Sequence, residues 1–388
     1  MSAASMKAMP RVIHIAQPCT GEEEWQATRE PLMSGWLTQG PKVAAFEKAF
    51  AERHAVQYAL ATTSCTTALH LILAAMEIGP GDEVIVPAFT WVATANVVLY
   101  CGATAVLVDV ERDSYNIDPA DVARKLTSRT KAVIAVHLFG LCADMDALRR
   151  VVPAHIPIIE DAACAAGAAY QGVPAGSLGS AAAFSFHPRK SITTGEGGMV
   201  TTNDAALAER ADRLRNHGAS ISEEQRHKGP RPYLLPEFNL LGFNYRMTDL
   251  QGAVGLVQLA KLDRYVAERD RWAQWYIEEL SALPWLRMPR RPSEGSHAWQ
   301  AFVTYVDPQR APQPRNALME QLQRAGVSTR PGTHAVHLLA YYRERFGLRA
   351  DDFPVARDCD GQTMAIPLHN RMSADDFAYV VDAIKKLA

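Results

Sequence analysis

The sequence predicts an α/β fold, with a mostly parallel central sheet in a large domain and a smaller α+β domain after it. Three observations carry this. Short apolar runs recur through the first half: EVIVPAF (83–89), TAVLVDV (104–110), KAVIAVHLFG (131–140), IPIIEDAA (156–163) and AAAFSF (181–186). Most are near-continuous rather than alternating, as in strands buried on both faces. Helix-like segments such as TWVATANVVLYCG and DMDALRRVV lie between several of them, so the order reads β-α-β-α. Around 246–283 the pattern changes to one long amphipathic stretch, which suits a helix carrying the chain out of the first domain.

The elements follow in order. The chain has 388 residues, and single cores seldom grow beyond roughly 250 to 300. We expect an N-terminal arm over 1–30, a large domain over 31–260 and a small domain over 261–388. ATTSCTTALHLILAAM (61–76) runs a cluster of small hydroxyl residues into an apolar helix. EEQRHKGPRPYLLPEFN (223–239) reads as a long polar loop, and loops of that length in compact domains are often functional. The small domain contains AFVTYV (301–306), the helix-like ALMEQLQRAG (317–326) and MAIPLH (364–369). A last helix follows Ser373, where SADD supplies an N-cap and early acids.

Composition narrows the function. Forty basic side chains against 42 acidic ones give no electrostatic footprint for nucleic acid. No apolar stretch approaches the roughly 18 residues of a membrane span, and the N-terminus lacks a signal-like apolar region, so the expected location is cytoplasmic. The six cysteines are scattered singly, with no CxxC and no zinc-like spacing, which suits free thiols and no metal site.

Four features could carry chemistry. Asp161 ends a buried apolar run and should emerge at the C-terminal edge of the sheet, where α/β folds bind ligands; it could equally cap the alanine-rich segment behind it. Ser64, Thr66 and Thr67 open a helix whose free amides and dipole suit an anion, or form an ordinary cap. The glycines of a dinucleotide or nucleoside-triphosphate loop are missing there. Trp91 follows a strand at the same edge and is either packing or a platform for a flat ring. Lys190, in FSFHPRKSITTGEGGMV, is a surface lysine or an amine whose pKa burial lowers until it can attack a carbonyl. Pyridoxal phosphate is the cofactor that calls for all four together: an amine for its aldehyde, a carboxylate for its ring nitrogen, an aromatic for its face and a helix start for its phosphate.

On these residues the sequence resembles the sugar aminotransferases of the DegT/DnrJ/EryC1/StrS family, within fold type I of the pyridoxal-phosphate-dependent transferases. SGWLTQGP, PAFTWVATANVVLYCGA, VHLFGLCADM, IEDAACAAGA, FSFHPRKSITTGEGGMV and LLGFNYRMTDLQGAVGLVQL recur in family order, so that the likeness spans about 34–384. It implies that Lys190 is the Schiff-base lysine, Asp161 the partner of the pyridine nitrogen and Trp91 the stacking residue. Cys65 and Thr66, with Ser64 beside them and Ser185, would hold the phosphate. Asn244 of a second subunit would complete the site, which makes it a homodimer with active sites at the interface. Where many relatives carry glutamine or histidine this chain has Cys164, which we read as a lining residue only.

The resemblance further implies transfer of the amino group of L-glutamate to a keto sugar, most commonly a nucleotide-linked keto-deoxysugar, in amino-sugar biosynthesis. Trp36, Arg246, His334 and His337 are the candidates for substrate contact. Arg226, His227, Lys228 and Arg231 would meet diphosphate oxygens or form a solvated charge run. The alternatives are a pyridoxal-phosphate-dependent sugar dehydratase on the same scaffold, or a non-catalytic sensor protein, since fold alone does not establish turnover.

Overall fold

The computed structural model describes residues 11–221, 229–231, 233–292 and 295–387. Seven strands form the main sheet: β1 (Tyr58–Thr62), β2 (Glu83–Pro87), β3 (Thr104–Val108), β4 (Thr130–Val136), β5 (Ile158–Asp161), β6 (Ala181–Ser185) and β7 (Gly198–Thr202). Their order is β1-β7-β6-β5-β4-β2-β3. Only β7 runs antiparallel to its neighbours. The C-terminal ends of the other six therefore share one edge, and β7 starts there.

Burial on both faces explains the continuous apolar runs. Val84 and Val86 of β2, and Ile134 and Val136 of β4, pack into one layer with Leu69 and Ile72. Ile85 and Val133, which alternate with them, pack into the opposite layer with Phe46, Phe50 and Phe184. In that layer the Phe50 and Phe184 rings meet edge to face at 4.9 Å, a favoured aromatic geometry.

The sequence reading passed over two strands, β1 and β7. YALAT and GMVTT are short and carry few branched apolar residues, so their signal is weak. Both are nevertheless fixed by pairing: Tyr58 lies opposite Thr202, and Thr62 opposite Gly198.

Helix α1 (Glu22–Ser34) and helix α2 (Pro41–Arg53) pack along the long helix Asp249–Leu280. That helix starts at a capping box, in which Thr248 Oγ1 accepts from Gln251 N and Gln251 Oε1 accepts from Thr248 N. It runs unbroken past residue 260 into the second half. There a three-stranded sheet of Leu286–Arg287, Phe302–Val306 and Thr363–Ile366 surrounds a core with Trp299, Tyr276 and Phe377. The last helix, Ala374–Lys385, begins at the Ser373 cap.

The N-terminal segment joins this second half. Ile13 N donates to Gly326 O at 2.8 Å, and Ser328 N donates to Ile13 O at 2.9 Å. Of the polar loop over 223–239, residues 223–228 and 232 lie outside the described residues.

Candidate active site

Ser64, Trp91, Asp161 and Ser185 stand at or just past the ends of strands. Beyond β1, Ser64 caps helix α3 (Cys65–Ala75): its hydroxyl accepts from Thr67 N at 3.1 Å, and Thr67 Oγ1 accepts from Ser64 N at 3.0 Å. This capping box occupies Ser64 and Thr67. The Cys65 and Thr66 amides and the Thr66 hydroxyl have no partner among the described residues. A helix start with two open amides is an anion site.

Gly198, at the start of β7, presses against this turn. A Cβ there would sit 2.4 Å from Ser64 C and O and 2.6 Å from Cys65 N. Only glycine lets the strand and the helix start meet so closely. Ser185, at the end of β6, lies directly across from Gly198 and is buried.

Asp161 ends β5 beside Val136 and Ala183 and is only 4% exposed. Its carboxylate is oriented by two hydrogen bonds, one from the alanine-rich segment that it could cap and one, from Thr94, that the sequence did not signal. Thr94 Oγ1 donates to Oδ2 at 2.7 Å, and Ala163 N donates to Oδ1 at 3.2 Å. Thr90 Oγ1 lies 3.1 Å from Thr94 Oγ1. Thr90 ends the short strand Phe89–Thr90 and Thr94 lies in the first turn of the helix Ala93–Tyr100, so no local spacing signalled the pair. The Cys65 thiol points to the same carboxylate, with Sγ 3.9 Å from Oδ1. Burial, reinforced by the charge of Asp161, holds that thiol well above the ordinary cysteine range.

Lys190 sits in the connection from β6 to β7. Thr194 N and Thr193 Oγ1 both donate to Phe186 O, and Gly195 turns at φ +85. This geometry aims the amine inward, where Nζ donates to Cys164 Sγ at 3.2 Å. Burial opposes the lysine's charge, but the sulfur of Cys164, with Cys65 and Asp161 behind it, outweighs burial and holds the amine above the ordinary lysine range. In the cofactor-free chain the lowered pKa expected from burial alone is therefore reversed.

Trp91 is 61% exposed, a large aromatic face open at the edge. His334 arrives from the second half: its backbone pairs with Thr90, and its ring lies 5.8 Å from that of Trp91. His337 does not reach this surface. It is fully buried, its ring packs 4.9 Å from Phe353, and its Nε2 faces Ala350 O at 3.3 Å. As a candidate substrate contact it is corrected to a core residue.

Asn244 is exposed, on a segment whose neighbours Tyr245 and Arg246 run beside Thr63 and Thr62. Arg246 donates to Asn216 Oδ1 at 2.8 Å. Trp36 donates through Nε1 to Gln39 O at 3.2 Å and covers Gly40, where a Cβ would be 1.9 Å from the indole nitrogen. Arg231 is exposed, and Arg226, His227 and Lys228 lie outside the described residues.

The amine, the oriented carboxylate, the open aromatic face and the open helix amides fit pyridoxal phosphate at one sheet edge. The comparisons with known proteins agree. The model of the DegT/DnrJ/EryC1/StrS aminotransferase family matches residues 18–385. PseC of Helicobacter pylori, an aminotransferase involved in pseudoaminic acid biosynthesis, superposes with a TM-score of 0.89 at 26% identity, over 97% of this chain and 99% of that one. DesV of S. venezuelae does so with a TM-score of 0.85 at 34% identity, over 94% of each chain. The PLP form of Spr1654 from Streptococcus pneumoniae gives 0.89 at 28% identity, over 97% of this chain and 98% of that one.

Proposed function

The chain belongs to the DegT/DnrJ/EryC1/StrS aminotransferase family, as a pyridoxal-phosphate-dependent sugar aminotransferase, and from that premise we propose that it moves the amino group of L-glutamate onto a nucleotide-linked keto-deoxysugar. The observation that carries the site assignment is the convergence of Lys190, Asp161, Trp91 and the start of α3 on one edge of the sheet.

The cofactor supplies an aldehyde for the amine and a ring that takes up electrons. The chain supplies the rest. Cys65 and Thr66 offer amides and a hydroxyl to the phosphate, with Ser64 holding the turn and Ser185 beside it. Asp161, held by Thr94, would keep a proton on the ring nitrogen. Trp91 would offer its exposed face to the ring. Lys190 would hold the aldehyde, and its amine is the group placed to give or take a proton at the reacting carbon. Cys164 keeps the lysine amine turned into the site.

The homodimer is part of this reading. Asn244 faces outward, and Leu235 and Leu241 on the same stretch are 82% and 93% exposed, apolar surface that a second copy would cover. The six free cysteines support a reducing, cytoplasmic setting. His334, Arg246 and Trp36 remain proposed substrate contacts.

The test is to load the purified protein with pyridoxal phosphate, add L-glutamate and follow the visible band of the bound cofactor. Loss of the band with release of 2-oxoglutarate supports the donor, and a keto sugar should then restore the band. A band that glutamate does not alter would rule out L-glutamate as donor.

A further inference from the structure

A lysine carries its amine on a flexible four-carbon stem, so where the amine stands depends on how firmly the backbone beneath it is held. Around Lys190, residues 186–197 form neither helix nor strand. Backbone N–H and C=O groups in such a segment need partners from elsewhere. Some are met within it: Lys190 N donates to His187 O at 2.9 Å, and Thr194 N to Phe186 O at 3.0 Å. Two others are met by glutamine amides from distant elements, one on each side of the lysine. Before it, Gln300 Nε2, just ahead of the strand Phe302–Val306, donates to Arg189 O at 2.9 Å. After it, Gln258 Oε1, on the long helix Asp249–Leu280, accepts from Thr193 N at 3.2 Å.

Both glutamines are buried, Gln258 at 1% exposure and Gln300 at 7%. An amide buried to this extent is costly unless it is bonded, and at both places a bond goes to the turn that carries Lys190. Gln258 is itself locked. Its nitrogen donates to Cys19 O at 2.9 Å and to Glu24 Oε1 at 2.7 Å, so turning the amide over would set oxygen against oxygen and N–H against N–H. Glu24 is buried too, and its carboxylate also accepts from Lys261 Nζ at 2.6 Å and from Gly21 N at 2.8 Å. Lys261 stands one turn beyond Gln258 on the same face of the long helix. A continuous chain of hydrogen bonds therefore runs from the start of α1 through Gln258 to the lysine turn.

We propose that Gln258 and Gln300 are positioning residues for the reaction: they clamp the backbone on either side of Lys190, so that its amine stands where the reacting carbon needs it. The assignment rests on Lys190 being the lysine that holds the cofactor. It makes the segment around Cys19 and Glu24, far away in sequence, part of the frame of the site.

The experiment compares the cofactor-loaded wild type with Gln258→Met, Gln300→Met and Gln300→His. Methionine keeps the bulk and removes the amide. Borohydride trapping with peptide mapping locates the cofactor on the wild type, and kcat, KM, denaturant unfolding and the pH titration of the visible cofactor band are then measured for each protein. A methionine variant should lose kcat by roughly tenfold or more with the L-glutamate KM within about threefold, since a small displacement of a reacting group acts on rate. The pH midpoint of the band should shift, a reading that needs neither substrate. Gln300→His, which keeps an N–H donor, should recover part of both effects. Gln300 lies outside the Glu24 chain of bonds, so Gln300→Met carries the test if Gln258→Met does not fold. Wild-type kcat and midpoint in a folded methionine variant, with or without lost stability, would overturn the proposal and leave the glutamines to the fold alone. A pyridoxyl group on a lysine other than Lys190 would overturn the lysine assignment together with it.

Discussion

Thr94 donates its hydroxyl proton to Asp161 Oδ2 at 2.7 Å, and this contact ties the first turn of one helix to the end of a strand near the middle of the sheet. It fixes the carboxylate plane that the ring nitrogen must meet. Thr94→Val keeps the shape and removes the donor. A hydrogen bond to a charged group is worth about 1.5 to 3 kcal/mol, so we expect turnover to fall roughly tenfold or more with cofactor still bound. Steady-state kinetics beside a cofactor absorbance titration checks this, and unchanged turnover would deny Thr94 an orienting role.

Cys164 is the nearest partner of the Lys190 amine. Its sulfur is the largest influence opposing burial at that lysine, so Cys164→Ala should move the Lys190 pKa downward in the cofactor-free protein. The pH dependence of Lys190 labelling by an amine reagent, read by mass spectrometry, reports it. A midpoint that stays in place or rises would remove Cys164 from the account.

Gly198→Ala tests the contact between β7 and the helix start. The new methyl would meet Ser64 at 2.4 Å, against backbone atoms that cannot rotate away. The open amides of Cys65 and Thr66 should shift, so the expected result is weaker cofactor binding with a largely intact fold. Fluorescence titration with pyridoxal phosphate measures it, and unaltered affinity would place the phosphate elsewhere.

Glu160, next to Asp161, serves the fold. It is fully buried and accepts from Gly176 N, Leu178 N and Gly179 N, with His137 Nε2 at 2.9 Å. Glu160→Ala strands those donors, and breaking a buried pair by removing one partner costs about 3 to 5 kcal/mol. Denaturant unfolding should show that loss, whereas a change under about 1 kcal/mol would mean the donors find other acceptors.

Acid should destabilise the protein through histidines that the fold keeps neutral. Burial lowers His54 and His369 to about 4 and His297 to about 3. Their unfolded values lie near 6.5. Between those limits the unfolded state binds more protons, so stability falls as pH drops from about 6.5 towards 4, by up to about 1.4 kcal/mol per pH unit for each group. His54 stacks on Phe50 at 4.2 Å. His54→Phe should shallow the pH dependence of thermal unfolding by one proton, and an unchanged slope would show that His54 is not held neutral.

The parts of this molecule legible in its sequence were those with a strong local signal. Continuous apolar runs marked five strands of the main sheet, and Ser64 and Ser373 marked helix starts because caps are chosen by chemistry within a single turn. β1 and β7 were not legible, since a short strand that begins with Gly198 is defined by its neighbours rather than its own residues. The same limit applies in the site. Lys190 and Asp161 stood out by type and position, but Thr94 acquires meaning only from what surrounds it in space. His337 shows the opposite failure, a polar residue in a suggestive segment that the fold buries.

The central claim is that Lys190 is the amine that holds the cofactor. Borohydride reduction of the cofactor-loaded protein, followed by peptide mapping, tests it most directly. The account predicts a pyridoxyl group on Lys190 and its loss in Lys190→Ala, whose turnover should drop by at least roughly a hundredfold. A pyridoxyl group fixed on another lysine, or bound cofactor that reduction attaches to none, would contradict it.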